Sequence, residues 1–221
     1  MRVEPYSVGS YMHTIKRGAR GLPITLNDAD RWRFVRSLYY LNDEFFDDNW
    51  FRQRTKTDLF LRPDTWPSRR PLVKILCYTL MPNHVHLLLQ EIKKGGVSQF
   101  MRKLGQSMTN YFNAKHNQKG SIFQGSYKGR TVVDDDYLRY VATYIMVKNV
   151  FELYPNGGLK EATKNFESAW EWGAKYQFSS LGDYASVRES SFIIEKGVLK
   201  KIWEKPQEFK IFSRDVIRGG K

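Results

Sequence analysis

The residues best suited to chemistry are two histidines, His84 and His86, separated by a single residue. Apolar side chains at Val85 and Leu87 alternate with them, which predicts a β-strand, because successive side chains of a strand point to opposite faces. The two imidazoles would then project side by side from one face. Such a pair offers two nitrogens to one divalent metal ion. The spacing alone leaves two alternatives, a metal site or two ordinary cleft histidines.

The composition predicts a polyanionic partner. The chain has 221 residues, and its 36 lysines and arginines against 23 aspartates and glutamates give a net charge of +13. This excess favours nucleic acid, whereas a membrane surface is disfavoured because no long amphipathic basic helix dominates the sequence. A merely soluble basic protein is the remaining alternative. The single cysteine, Cys77, excludes a disulfide framework and fits a reducing compartment. Because no apolar run reaches membrane-spanning length and no signal peptide is apparent, the expected location is cytoplasmic.

Hydrophobic periodicity predicts strands and helices in the order strand, helix, two strands, helix, strand, helix. The predicted ranges are 7–16, 27–41, 72–80, 84–91, 97–114, 120–133 and 137–149. That order resembles a ferredoxin-like α+β sandwich, with an antiparallel sheet and helices on one face. Three aspartates, 134–136, precede the last helix, and a helix cap is favoured over a magnesium site for them.

The chain divides at a proline- and glycine-containing turn near residue 155. Residues 1–155 are expected to form the main domain, interrupted at 42–71 by a proline- and arginine-containing loop or insertion. Residues 156–221 are less periodic and are expected to form a C-terminal extension, packed on the domain or partly flexible.

A histidine pair in a basic protein suggests phosphodiester chemistry, which requires a nucleophile. The chain has no P-loop consensus and no serine-triad motif. In the last predicted helix, Tyr140, Tyr144 and Lys148 follow one another at i, i+4 spacing and share a face. A tyrosine hydroxyl can attack phosphorus and form a phosphotyrosine, which stores the bond energy for rejoining. Spacing alone leaves packed amphipathic tyrosines as the alternative.

These segments resemble the IS200-like single-tyrosine (HUH, Y1) transposases, and more narrowly their REP-associated tyrosine transposase-like branch. The similar segments are 81–89 with its His-hydrophobe-His motif, 11–18 with its Arg-Gly turn, 122–128, and Tyr144 at seven residues after Tyr137. The similarity covers about residues 8–155, in the order that the family has.

The resemblance implies a ferredoxin-like enzyme that cuts and rejoins single-stranded DNA near hairpins. His84 and His86 would hold Mg²⁺ or Mn²⁺, and Tyr144 would attack to leave a 5′-phosphotyrosine and a free 3′-OH. Basic residues are expected to contact the DNA, namely Arg17, Arg20, Lys128, Arg130 and Lys148.

The sequence departs from the family pattern just after Tyr144. The family often carries an asparagine four residues after its tyrosine, which can complete the metal site, whereas this chain has Lys148 there and Asn149 next. A protonated lysine cannot ligate a metal. Asn149 lies about 140° further round an ideal α-helix than Tyr144, so it could ligate only if the helix ends or bulges. The third ligand stays open, with Asn149 preferred.

Two other functions are compatible with the sequence. One is a non-catalytic or domesticated nucleic-acid-binding protein of the same fold, favoured by Lys148, and the other is a metal-dependent nuclease that uses water. In the insertion-sequence branch of the family, the two chains of a homodimer exchange catalytic helices, whereas the REP-associated branch is monomeric, with tyrosine and histidines in one chain. This sequence resembles the REP-associated branch in its longer C-terminal region. We therefore prefer a monomer to a helix-swapped homodimer.

Overall fold

The fold is built on a four-stranded antiparallel sheet. The computed structural model describes residues 4–49, 60, 62–188 and 191–219. The strands are β1 (Tyr11–Arg17), β2 (Val73–Leu80), β3 (His84–Glu91) and β4 (Lys128–Val132). Their order in the sheet is β2-β3-β1-β4, and every neighbouring pair is antiparallel. The predicted α+β fold with an antiparallel sheet is confirmed.

Nine α-helical segments accompany the sheet in the described part of the chain. They are α1 (Asp28–Tyr40), α2 (Gly96–His116), α3 (Asp135–Thr143), α4 (Asn149–Phe151), α5 (Gly158–Lys164), α6 (Phe166–Lys175), α7 (Leu181–Tyr184), α8 (Gly197–Ile202) and α9 (Pro206–Ile217). A π-helical turn, Tyr144–Lys148, joins α3 to α4. Within the described residues, no helix is long and apolar enough to cross a membrane.

The helix that carries Tyr144 begins where the three aspartates predict. The Asp134 side chain accepts a 2.7 Å hydrogen bond from the backbone N–H of Tyr137, which satisfies one of the unpaired donors at the helix start. Asp135 and Asp136 occupy the first turn, where negative charge suits the helix dipole. The predicted helix cap is therefore confirmed.

Helices cover both faces of the sheet, so the predicted placement on one face is wrong. On the first face, Met12 and Leu87 pack with side chains of α1 and α2 such as Phe34. On the second face, Leu88 packs with α3, the π turn and the helices after residue 155, including Phe209. The reason is that β2 and β3 bury side chains pointing both ways, and a strand buried on both faces needs a layer against each.

The segments outside the regular core differ in detail from their predictions. The first strand begins at Tyr11 rather than at Ser7, because Ser7 to Ser10 close a turn through a 3.0 Å backbone hydrogen bond. Of the predicted 42–71 loop, residues 50–59 and 61 lie outside the described residues, and the rest follows mostly turns and bends. The helices after residue 155 contribute to the second core, and the predicted domain boundary there stays a prediction.

Asp30 is a buried carboxylate that ties α1 to α2. It accepts hydrogen bonds of 2.5 Å from Lys115 Nζ, 3.0 Å from the Tyr111 hydroxyl and 2.8 Å from the Leu26 backbone N–H, and His116 Nε2 lies 3.2 Å away. Burial by itself would raise the pKa of this carboxyl, but the hydrogen bonds and the lysine charge outweigh it and hold the pKa below its ordinary value. The ionised form therefore stabilises the fold.

We expect Asp30→Asn to lower the free energy of unfolding by roughly 2 kcal/mol at pH 7. This loss in the free energy of unfolding is smaller than that for a fully buried ion pair, because the Lys115 side chain is 32% exposed. Since the folded-state pKa is depressed, the contribution is present above the unfolded-state value and is lost as pH falls through the folded-state value. Urea unfolding of both proteins at pH 7 and at pH 3 checks this, with the difference shrinking at the lower pH.

The matched control is Asp28→Asn, because the Asp28 side chain is 64% exposed and pairs with Arg31 at the protein surface. Its free energy of unfolding should change by less than about 1 kcal/mol. Equal losses for the two variants would show that burial does not strengthen the Asp30 contacts.

Candidate functional site

The site lies on the second face of the sheet, under α3 and the π turn. β3 directs Val85, Leu87 and Leu89 into the first core, so His84 and His86 project from the opposite face, as the alternation predicts. β1 pairs with β3 in a register that places Ile15 opposite His86 and Arg17 opposite His84. Both imidazoles therefore project from β3, a central strand whose hydrogen bonding to β2 and β1 limits movement.

The structure brings Tyr144 to the histidine pair within one chain. The Tyr144 ring centroid lies 5.5 Å from that of His86, and the His84 and His86 centroids are 4.8 Å apart. The Tyr140 ring, 47% exposed, lies one turn earlier at 6.5 Å from Tyr144. Residues distant in sequence thus form one cluster of two imidazoles and one phenol.

The π turn decides where Asn149 lies relative to Tyr144. The backbone N–H of Asn149 donates to the carbonyl of Tyr144, an i to i+5 bond in place of the α-helical i to i+4 bond. The Thr79 hydroxyl on β2 donates 2.6 Å to the carbonyl of Ile145 and so binds the turn to the sheet. In such a turn, residue i+5 lies one turn from residue i, so the bulge that Asn149 requires is present.

Asn149 has the burial expected of a residue that faces the interior. Its side chain is 1% exposed, and its amide nitrogen has no hydrogen-bond partner among the described residues. An unpaired buried amide is costly, which makes Asn149 an unusual position in this helix. Lys148 lies next to it, with Nζ at 5.0 Å from the centre of the Tyr144 ring. Lys148 is thus a neighbour of the phenol.

The histidines of the cluster are uncharged at neutral pH. Burial lowers the pKa of His13 to about 4, with a smaller effect from Arg130. Burial and Arg17 lower the pKa of His84 to about 4. Burial, His13, His84 and Arg17 together lower the pKa of His86 to about 2. Each ring therefore keeps one unprotonated nitrogen, which is the form that binds a metal ion.

The phenol of Tyr144 is protonated at neutral pH. Burial raises the pKa of Tyr144, the Glu152 carboxylate and Tyr140 raise it further, and the Arg17 charge lowers it. A phenol in this state attacks only as it loses its proton. The positive charge of Arg17 is the feature of the surroundings that favours the phenolate.

Four of the five predicted DNA-contacting residues lie around the cluster. An open cleft of about 360 Å³ is lined by His13, Lys128, Arg130 and Tyr144 together with neighbouring residues. A second cleft of about 360 Å³ is lined by Arg17, Lys128 and three further residues. Lys148 contacts Tyr144 directly. The fifth residue, Arg20, is exposed in the turn after β1 and does not line either cleft.

His13 belongs to the cluster, although its sequence context does not predict a role for it. Its Nε2 atom lies 2.8 Å from Nδ1 of His86, and its ring centroid lies 5.8 Å from that of Tyr144. The alternation in β1 puts His13 on the same face as Tyr11 and Ile15. The local sequence of β1 does not, however, predict which strand pairs with it, so the contact between His13 and His86 could not be inferred. Cys77, by contrast, is fully buried away from the cluster, and burial raises the pKa of its thiol, as expected of a core residue.

Comparison with known proteins gives one family match. Residues 68–148 match the family model described as "Transposase IS200 like". No curated protein matches the chain. Among solved structures, the chain is similar to "Structure of the REP associates tyrosine transposase bound to a REP hairpin", with 13% identity, a TM-score of 0.47, and 88% of this chain and 90% of that chain covered.

The family match confirms the resemblance seen in the residues. The matched segment contains His84, His86 and Tyr144, the three residues that the structure brings together. This segment is therefore similar to the IS200-like transposases.

Proposed function

We propose that this protein is a metal-dependent HUH-type tyrosine transposase that cleaves and rejoins single-stranded DNA near hairpins through a 5′-phosphotyrosine. The observation that carries the proposal is the contact of Tyr144 with His86, at 5.5 Å between ring centroids. If Tyr144 were only a packed amphipathic side chain, buried and uncharged histidines beside it would have no explanation. The protein would act in the cytoplasm, on DNA of the nucleoid.

The chain offers a donor set that fits Mg²⁺ or Mn²⁺. His84 and His86 supply uncharged imidazoles, and among the described residues neither Nε2 atom has a hydrogen-bond partner. No group of three or more histidine, cysteine or carboxylate side chains in the described ranges is arranged to hold a metal ion, so a third protein ligand would be of another kind. The side-chain oxygen of Asn149, a buried residue one π turn after Tyr144, would take that role. A bound ion would polarise the scissile phosphate.

The reaction follows from the position of Tyr144. Its phenolic oxygen forms a bond to phosphorus as the bond from phosphorus to the 3′ oxygen breaks, and that oxygen leaves as a 3′-OH after taking a proton. The 5′ phosphate then stays on the tyrosine until another 3′-OH attacks and releases the phenol. Arg17 favours the phenolate in both directions.

The basic residues around the clefts would hold the DNA backbone. Arg17 and Lys128 are exposed and line the same cleft, and Arg130 and Lys148 lie on the Tyr144 side. Their charges match a flexible single strand better than a membrane. Because the phenol and both histidines meet in one chain, a monomer needs no exchange of helices to complete the site, and we prefer it to a swapped homodimer.

A non-catalytic DNA-binding protein of the same fold is the second candidate. The Lys148 ammonium at 5.0 Å from the Tyr144 ring favours it, because a positive charge beside a divalent ion is unfavourable. The water-using nuclease has no such observation in its favour.

The test of the proposed function is a search for a covalent adduct. The protein is incubated with 3′-end-labelled single strands carrying a hairpin, with Mn²⁺ and with a chelator in parallel, and run on a denaturing gel. We expect a labelled protein band in the reaction with Mn²⁺ but not in the reaction with chelator. The released strand should carry a free 3′-OH. Binding without cleavage for every hairpin would favour the non-catalytic candidate, and cleavage without an adduct would favour the nuclease.

The salt dependence of DNA binding tests the assigned backbone contacts. We expect the double substitution Arg17→Gln, Lys128→Gln to weaken single-strand binding, and to reduce the slope of log K against log[salt] by about 1.4 in magnitude. The reason is that each lost phosphate contact removes about 0.7 from that slope. Fluorescence anisotropy from 50 to 300 mM salt measures it.

Lys164→Gln is the control for this measurement, because Lys164 lies at the end of α5 and pairs with Glu161 at the surface. It should leave the slope unchanged. A slope that does not differ between the double variant and Lys164→Gln would remove Arg17 and Lys128 from the DNA contacts.

A further inference from the structure

We propose that His13 is a positioning residue that accepts a hydrogen bond from His86 and so fixes the tautomer that leaves the His86 Nε2 atom unprotonated. The inference deepens the proposed function and rests on it, since that unprotonated atom is the one that would bind the metal ion. It adds a role for a histidine that the sequence pattern does not single out.

The geometry places the two rings within hydrogen-bond distance of each other. His13 Nε2 and His86 Nδ1 are 2.8 Å apart, a hydrogen-bond distance, and the ring planes are inclined by only 28°. Each uncharged imidazole carries one N–H and one lone pair, so one ring donates and the other accepts. Both strands that carry the rings are paired on each side, which holds this contact in place.

The two possible directions of this bond have opposite consequences. If His86 donates from Nδ1, its Nε2 atom keeps a lone pair and can ligate. If His13 donates from Nε2, the proton of His86 sits on Nε2 and blocks ligation there. Histidines that bind metals regularly donate their other N–H to a protein acceptor, which is the first arrangement.

His84 shows the same arrangement independently. Its Nδ1 atom lies 2.6 Å from Oδ1 of Asn83, and the amide of Asn83 is oriented by a 3.1 Å hydrogen bond from its Nδ2 to the carbonyl of Gly21. Since an amide oxygen only accepts, the proton of His84 must be on Nδ1. His84 therefore presents an unprotonated Nε2, and a matching tautomer at His86 would give the site two equivalent donors.

The arrangement assigns His13 an orienting role rather than a ligand role. Its Nε2 atom already faces the His86 ring at 2.8 Å, and no three-histidine metal group is found among the described residues. His13 also contacts the Tyr144 ring edge-on, at 5.8 Å between centroids, so its ring lies beside both His86 and the phenol. Loss of the ring would free the tautomer of His86 without removing a ligand.

The first test is the tautomer of each ring, read from ¹⁵N chemical shifts of the side chains in the metal-free protein without DNA. In the wild type we expect His84 and His86 to be protonated on Nδ1, the less common form of free imidazole. In His13→Ala, we expect His86 to move toward the common Nε2–H form while His84 is unchanged. His13→Gln, whose side-chain oxygen can accept the bond, should restore the Nδ1–H form.

The second test is the Mn²⁺ affinity of the same variants, measured by titration and electron paramagnetic resonance. His13→Ala should weaken binding about 10- to 100-fold, with partial recovery in His13→Gln. His116→Gln is the control, because His116 lies on α2 beside Asp30 and away from the cluster. Urea unfolding confirms that each variant is folded.

Three results would overturn the positioning role. They are an Nε2–H form of His86 in the wild type, an unchanged Mn²⁺ affinity in a folded His13→Ala, and a Mg²⁺-induced shift of a His13 nitrogen as large as those of the pair, which would make His13 a ligand. Failure of the proposed function is a distinct outcome, because the expected tautomers without any covalent adduct would leave the positioning role standing.

Discussion

Replacing Tyr144 with phenylalanine is expected to abolish the covalent adduct and to reduce strand cleavage by at least about 10³-fold, the scale of effect seen when an enzyme loses its nucleophile. The substitution removes one oxygen atom and keeps the ring that packs against His86 at 5.5 Å between centroids. Mn²⁺ binding and DNA affinity should therefore stay near wild type. Single-turnover cleavage of a labelled hairpin strand, quenched into denaturant, measures both products.

Tyr140→Phe is the matched control for that experiment. Tyr140 lies one helical turn before Tyr144, is 47% exposed, and has its ring 6.5 Å from that of Tyr144. We expect it to retain the adduct and to cleave within a few-fold of wild type. Cleavage by Tyr144→Phe at the wild-type rate would show that water is the nucleophile. An adduct that is lost only in Tyr140→Phe would show that Tyr140 is the nucleophile instead of Tyr144.

Removal of an imidazole from the pair is expected to have the second largest effect. His86→Ala should weaken Mn²⁺ binding by more than about 100-fold, since loss of a residue that merely orients a ligand already costs 10- to 100-fold. Cleavage should fall in parallel, whereas binding of single-stranded DNA at fixed salt should change little, because Arg17 and Lys128 remain. Calorimetric titration with Mn²⁺ gives the affinity.

His116→Gln serves as control here too, because it removes a histidine from the chain without touching the cluster. It should bind Mn²⁺ as the wild type does. If His86→Ala bound Mn²⁺ as tightly as His116→Gln, the metal ion would have to lie elsewhere, and the role assigned to the pair would be withdrawn.

The strand with the histidine pair is the part of the site that local sequence predicts well. Alternation of Val85, Leu87 and Leu89 with the histidines determines which way each side chain points, and the structure follows it. The helix start at Asp134 is likewise a local matter, since a side chain and a backbone N–H three residues on suffice. The direction of the strand side chains and the helix cap depend on residues close in sequence, so they can be predicted from a single sequence.

The features that sequence does not reveal depend on distant residues. His13 matters because β1 lies beside β3, which brings His13 next to His86, 73 residues further along the chain. Helices on the second face follow from how the residues after 155 pack against Leu88, which no local pattern in β3 indicates. Strand alternation tells the two faces apart but does not say what covers either.

Asn149 shows the limit most clearly. A regular α-helix would turn its side chain away from that of Tyr144, and helical periodicity assumes a regular helix. The π turn that changes this is held partly by Thr79 on β2, whose hydroxyl reaches the carbonyl of Ile145. The sequence indicates that Asn149 could be a metal ligand only if the helix bulges after Tyr144. The bulge itself depends on the contact with β2, which the sequence does not predict.

The most direct test of the account is whether a metal ion bound at the histidine pair lies next to the Tyr144 phenol. With ring-labelled tyrosine assigned through Tyr144→Phe, one equivalent of Mn²⁺ should broaden the Tyr144 ring signals beyond detection and leave those of Tyr111, on the first face of the sheet, visible. The double variant His84→Ala, His86→Ala should keep the Tyr144 signals. Sharp Tyr144 signals in a wild-type protein that holds Mn²⁺ tightly would contradict the account.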